Sequence, residues 1–105
     1  AVELAKGVDP RFEGGLRSAR ARWAVLTGAD ATEDRVEGRA LLTRVGDADE
    51  LTKLTVIDAM ALGRRGDVAG GRRVLDGVSA EGDPLLARRI EEARRLLSRL
   101  ENGHG

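Results

Sequence analysis

Few residues in this chain could carry out acid–base, nucleophilic or metal chemistry, and their spacing does not bring them together. The single histidine, His104, stands in the terminal "ENGHG", where a lone imidazole is solvated. A serine nucleophile needs a base within hydrogen-bond reach, and Ser18, Ser79 and Ser98 have none near them in sequence. Cysteine is absent, which removes thiol nucleophiles, thiolate metal ligands and disulfides together. "DADE", Asp47 to Glu50, gathers carboxylates but lacks the ligand spacing and central glycine of a calcium loop. It reads as a helix cap with an acidic first turn that suits the helix dipole. "GDVAGG", Gly66 to Gly71, is glycine-rich, but a phosphate loop lies between a strand and a helix, and a helix precedes this one. These residues predict no catalytic, cofactor-binding or metal site, and no enzyme.

The charged residues point to binding rather than catalysis. The chain has 105 residues, 18 basic and 18 acidic, and 16 of the basic ones are arginine. A neutral chain offers no long-range attraction to nucleic acid or an anionic membrane. Arginine pairs do occur at Arg64-Arg65, Arg72-Arg73, Arg88-Arg89 and Arg94-Arg95. Glu81, Asp83, Glu91 and Glu92 interleave with them, and only Phe12 and Trp23 are aromatic, so there is no stacking platform for bases. A salt-bridged exterior is the expectation. An Arg-rich nucleic-acid-associated regulatory domain is the alternative, and a self-associating helical dimerisation domain a third.

The elements that must position any surface are helical throughout, because apolar residues recur at steps of three and four and never alternate. Asp9-Pro10 opens the first helix, with Phe12, Leu16, Ala19, Trp23 and Leu26 as its inward stripe and Gly28 as its stop. Trp23 is expected to be mostly buried. The second helix runs from about Thr32, a candidate cap, to Val45, with Val36, Ala40, Leu41, Leu42 and Val45 apolar. Asp47 or Asp49 caps a third, Ala48 to Arg64, with Leu51, Leu54, Ile57 and Ala61 inward. Asp67 caps a fourth with Val68, Gly71, Leu75 and Val78 inward. Asp83-Pro84 opens a fifth with Leu86, Ile90, Ala93, Leu97 and Leu100 on one stripe. The tail from 102 to 105 should fray. No run approaches the roughly 18 apolar residues of a membrane span. The chain reads as one all-α domain, 10–46 and 47–80 as helix pairs and 83–101 as a packing helix. It is expected in a bacterial cytoplasm, as a mature chain or a segment of something larger.

The two pairs repeat. "DRVEGRALLTRV" (Asp34 to Val45) aligns with "DVAGGRRVLDGV" (Asp67 to Val78), matching Asp34/Asp67, Gly38/Gly71, Arg39/Arg72, Leu42/Leu75 and Val45/Val78. The preceding helices align Ala24 with Ala59 and Gly28 with Gly63. Glycine inside a helix costs about 1 kcal/mol relative to alanine, tolerable where another helix comes close. Gly38 and Gly71 are therefore expected to meet Ala24 and Ala59 across each hairpin, while Gly70 has no such partner.

A period near 34 residues, paired helices with a small residue on each at the contact, and the turn in "AMALGRRGDVAGGRRVL" resemble the tetratricopeptide repeat. The resemblance spans roughly Leu16 to Pro84, two repeats, with the fifth helix as a cap. The second repeat departs by carrying Thr55 and Leu62 where that family places aromatics. The resemblance implies a small right-handed superhelical or bundle-like domain that binds protein or peptide in a concave groove lined by the first helix of each pair. On the third helix Lys53, Met60 and Arg64 share a stripe, and the corresponding stripe of the first is Ser18, Val25 and Ala29, with Arg22 adjoining. Ser18, Arg22, Val25, Lys53, Met60 and Arg64 are thus the expected partner-binding residues, Met60 exposed and the basic ones facing an acidic segment. Arg72 and Arg95 are expected on outer faces.

Overall fold

The computed structural model describes residues 9–103, whose regular structure is entirely helical. The helices are α1 (Pro10–Thr27), α2 (Thr32–Val45), α3 (Ala48–Arg64), α4 (Val68–Asp76) and α5 (Pro84–Glu101). Aspartates start most of them. Asp9 accepts a hydrogen bond from the Arg11 amide, Asp47 from Glu50, Asp67 from Gly70 and Asp83 from Leu86, each at 2.8–3.1 Å. These bonds satisfy amides that a helix start leaves without partners. Thr32 is the exception to expectation: it is the first helical residue of α2, and Asp30 accepts its amide at 2.9 Å. Gly28, Gly46 and Gly66 take the left-handed conformation that ends or follows α1, α2 and α3, where other residues are strained.

The chain forms a slab of 47 × 31 × 18 Å. Helices α1, α3 and α5 lie side by side, and α2 and α4 cover them. α3 packs against all four other helices. Its buried residues, Leu54, Val56, Ile57, Ala59, Met60, Ala61 and Gly63, consequently point in almost every direction around its axis. Leu42, Leu75, Leu96, Leu97 and Val25 complete the core. The expected inward stripes of α4 and α5 hold at Gly71, Leu75, Leu86, Ala93 and Leu97, which are buried, while Ile90 and Leu100 are half-buried.

α1 is turned the other way from its expected orientation. Phe12 and Trp23 are each 65% exposed and Leu16 is 46% exposed; Ala19 is exposed as well. Gly14, Ser18, Ala21 and Val25 face inward instead. The reason is close approach: a Cβ on Gly14 would lie 2.7 Å from Leu42 Cδ2, so only small residues fit between α1 and α2. On α2, Val36 and Ala40 are exposed, not inward as expected.

The glycines named by the repeat do not occupy equivalent seats. Gly71 lies against α3, where a Cβ would stand 2.5 Å from the Ala59 carbonyl and 3.1 Å from Leu97 Cδ2. Gly63 faces the same Leu97, with 2.3 Å left for a Cβ. Leu97 is thus a knob set into a notch made by two glycines of different helices. Gly38 instead faces Gly14, Arg17 and Ser18 at ordinary contact distances, not Ala24. Asp67 caps its helix, whereas Asp34 is the third residue of α2. Gly70 also finds its reason: the Asp67 carboxylate folds over it, 2.2 Å from where a Cβ would be.

Ion pairs join the helices at the surface. Asp34 receives Arg20 at 2.8 Å and Arg17 at 3.2 Å, linking α2 to α1. Asp58 of α3 receives Arg35 and Arg39 of α2. Arg72 of α4 grips Glu101 of α5 through two hydrogen bonds of 2.8–2.9 Å.

Two tests follow from this packing. Gly71→Ala must push a carbonyl that cannot move freely and is expected to cost 1–3 kcal/mol, roughly the range for overpacking. Gly38→Ala is expected to be neutral or to stabilise by up to about 1 kcal/mol through helix propensity. Gly70→Ala disturbs only the tip of a capping side chain, so a loss and a gain of about 1 kcal/mol each should nearly cancel. Urea denaturation of the three variants checks the order. The second test uses pH. Hydrogen bonding from Arg20, with the charges of Arg20 and Arg17, holds the Asp34 carboxyl below its ordinary range. Its contribution is therefore present at neutral pH and lost as acid protonates it. Asp34→Asn should lower the melting temperature at pH 7, and the gap should close as the pH falls through and below the ordinary carboxylate range.

Candidate functional site

The six residues expected to bind a partner are not a surface together. Ser18, 4% exposed, sits at the α1–α2 contact, and Val25 is in the core. Met60, expected outside, is 1% exposed, because α3 is enclosed on the side that its sequence pattern leaves open. Lys53 is half-buried and bonded to Glu50 at 2.8 Å. Arg64 has a structural task. Its Nε and Nη2 donate to the Val25 and Leu26 carbonyls, both at 2.9 Å. Those carbonyls belong to the last turn of α1, where acceptors lack helical partners and the dipole is negative.

Val25 and Arg64 border a small hollow of 260 Å³ beside the α1–α2 turn, and Arg22 opens onto a larger one. α3 packs against both α1 and α5, which make no extensive contact with each other, and a groove of 730 Å³ lies between them. Arg22 and Leu26 form one wall; Leu85, Arg88, Arg89, Glu92, Arg95 and Arg99 are on the other. Arg95 therefore lines the groove, contrary to its expected outer position, and its pair with Glu91 is long at 3.9 Å and exposed. Arg22 and Glu92 form a two-bond fork of 2.7–2.8 Å across the groove, the favoured geometry for guanidinium and carboxylate.

The remaining arginines of the wall carry unspent charge. Among the described residues, Arg88, Arg89 and Arg99 have no carboxylate within 4 Å. Arg89 is half-buried, and burial followed by the nearby Arg22 charge pushes its guanidinium below the ordinary arginine range. It stays charged at neutral pH, so an anion entering the groove would meet a poorly solvated cation. Five arginines against Glu91 and Glu92 make this face positive although the chain as a whole is neutral.

The opposite face differs. A 460 Å³ hollow beside Val36, Ala40 and Thr43 also contains Arg35 and Arg39, but both of those are already held by Asp58. Among the described residues no cluster of His, Asp or Glu could hold a metal ion. His104 lies outside them. No helix among them is long and apolar enough to cross a membrane.

Replacing Arg64 tests its structural role. Arg64→Leu strips the Leu26 carbonyl of its donor and leaves that of Val25 only the long 3.3 Å bond from the Gly28 amide, and is expected to destabilise by about 1–3 kcal/mol, the range for hydrogen bonds to charged groups. Arg64→Lys, lacking the fork, should recover only part. Thermal unfolding of both variants measures the difference.

Comparison of the chain with protein-family models, with curated proteins and with solved structures finds no match.

Proposed function

We propose that this chain is a non-catalytic docking module that holds an acidic, partly apolar protein segment in the groove between α1 and α5. The observation that carries the reading is the set of arginines left without carboxylates along that groove. Leu26 and Leu85, the latter 43% exposed, supply apolar contact beside them. Guanidinium forks suit carboxylates in geometry as well as charge. A segment with two or three Asp or Glu residues around a leucine would match both features.

The packing supports a tetratricopeptide-like reading in one respect. Each helix packs on the next one or two in sequence, the one-dimensional pattern of stacked hairpins. The groove is also lined by the first helix of the first pair and by α5, which in this reading begins a third. In this reading the module works in a bacterial cytoplasm as part of a scaffold or regulatory assembly.

Fluorescence anisotropy with a labelled peptide of Asp, Glu and Leu tests the proposal. Arg89→Glu and Arg88→Glu should each weaken binding tenfold or more, on the order expected for a lost charged hydrogen bond. Arg73→Glu, outside the groove, should leave it within about twofold. A single-stranded oligonucleotide should bind weakly, with no dependence on Arg89. If the oligonucleotide binds tightly, with a steep salt dependence, and the peptide does not, the nucleic-acid alternative replaces this one.

A further inference from the structure

The outward stripe of α1 is independent of the groove. Phe12, Leu16, Ala19 and Trp23 follow one another at steps of four, three and four, the spacing of a helix seam that meets another helix. Both aromatic residues of the chain are on it, and both are 65% exposed. With aromatic side chains of about 150–250 Å², these two leave roughly 200–300 Å² of ring in water. That approaches the largest apolar patch of an ordinary monomer, often a functional one. The other end of the slab is unlike this one. Outside the groove, the exposed positions of α5 include Arg94, Ser98 and Glu101. Stacked helical arrays need polar outer faces at their ends; α5 has one and α1 does not.

The stripe is complementary to itself. Reversing α1 about the midpoint between Arg17 and Ser18 brings Phe12 onto Trp23 and Leu16 onto Ala19. Two antiparallel copies would thus set each phenylalanine against a tryptophan, and each leucine against an alanine that makes room for it. Such reciprocity is what a twofold interface requires. The flanks agree. Glu13, one residue after Phe12, and Arg20, three residues before Trp23, border the stripe on the same side and would come near each other across the pair. Arg20, its side chain 55% exposed, and Glu13, 36% exposed, are each paired within the chain, Arg20 with Asp34 and Glu13 with Arg17, so their meeting across the pair would extend those ion pairs into one network. The remaining flanking arginines, Arg17 and Arg22, are already held by Asp34 and Glu92 and present little net repulsion.

We infer that α1 is a homodimer interface in which two copies pair antiparallel, Phe12 against Trp23 and Glu13 facing Arg20. The exposed rings supply about a quarter to three-eighths of the roughly 800 Å² a standard interface buries on each side. The pair is accordingly a weak, concentration-dependent dimer.

Sedimentation equilibrium from about 1 to about 500 µM tests this. The chain is expected to pass from monomer to dimer, and Trp23 emission to shift to shorter wavelength over the same range. Phe12→Glu should hold the chain monomeric with unchanged helicity by circular dichroism, since Phe12 contributes little to the core. The absence of native cysteine allows the register to be read directly. Phe12→Cys mixed with Trp23→Cys should cross-link faster under mild oxidation than either variant links to itself. Three results overturn the inference: a monomer throughout the range, a Phe12→Glu chain that still dimerises, or cross-linking that favours like with like.

Discussion

Leu97 is the pin of this structure. It is fully buried, and it occupies a notch whose two sides are Gly63 of α3 and Gly71 of α4. Neither glycine could carry a methyl group without meeting Leu97, and Gly71 would also meet the Ala59 carbonyl. One side chain of α5 therefore fixes how closely α3 and α4 approach and where α5 lies on both. The wall of the arginine groove is the other side of that same helix. Residues such as Arg88, Arg89 and Arg95 can face α1 because Leu97, Ala93 and Leu86 are held inward.

A second close approach governs the other end. α1 meets α2 through Gly14, Ser18 and Gly38, so α1 lies with small residues inward and its large ones in solvent. Arg64 then anchors the C-terminal turn of α1 to α3. These two constraints set the position of Arg22, and with it the width of the groove. The chain spends its few large rings on the outside and fills its interior with aliphatic side chains and backbone contact.

Helix number and boundaries were legible because local signals agree. Asp9-Pro10 and Asp83-Pro84 combine a cap with a proline at the first helical position, and Gly28, Gly46 and Gly66 mark the ends. The orientation of α1 was not legible. Its apolar stripe and its small-residue stripe share the same spacing of four and three, and periodicity cannot say which one faces a neighbour. Area favours burying Phe12, Leu16 and Trp23, and close backbone approach prevailed. Met60 was misplaced for a related reason: α3 is enclosed by four helices, so a residue off the main stripe is no more exposed than one on it. The groove was invisible at the level of sequence except for Arg22. It joins that residue to Arg89, and only the tertiary arrangement shows that the arginine pair at 88–89 lacks carboxylates where those at 72 and 94 have them. The repeat was a partial guide. It paired Gly71 correctly with Ala59, but its other half, Gly38 with Ala24, did not carry over.

The central place of α3 changes how such a chain should come apart. In a long array of hairpins each unit touches only its neighbours, and the ends can fray while the middle holds. Here one helix touches every other, so no unit is remote from any loss. α4 has nine residues, too few for a helix to persist unaided in water, and both of its neighbours lean on the same notch. Detaching α5 would empty that notch, loosen α4 and expose α3 in a single event. Amide protons of α3 should accordingly exchange by global opening alone, and a chain laid out like a series of modules should melt as one cooperative body.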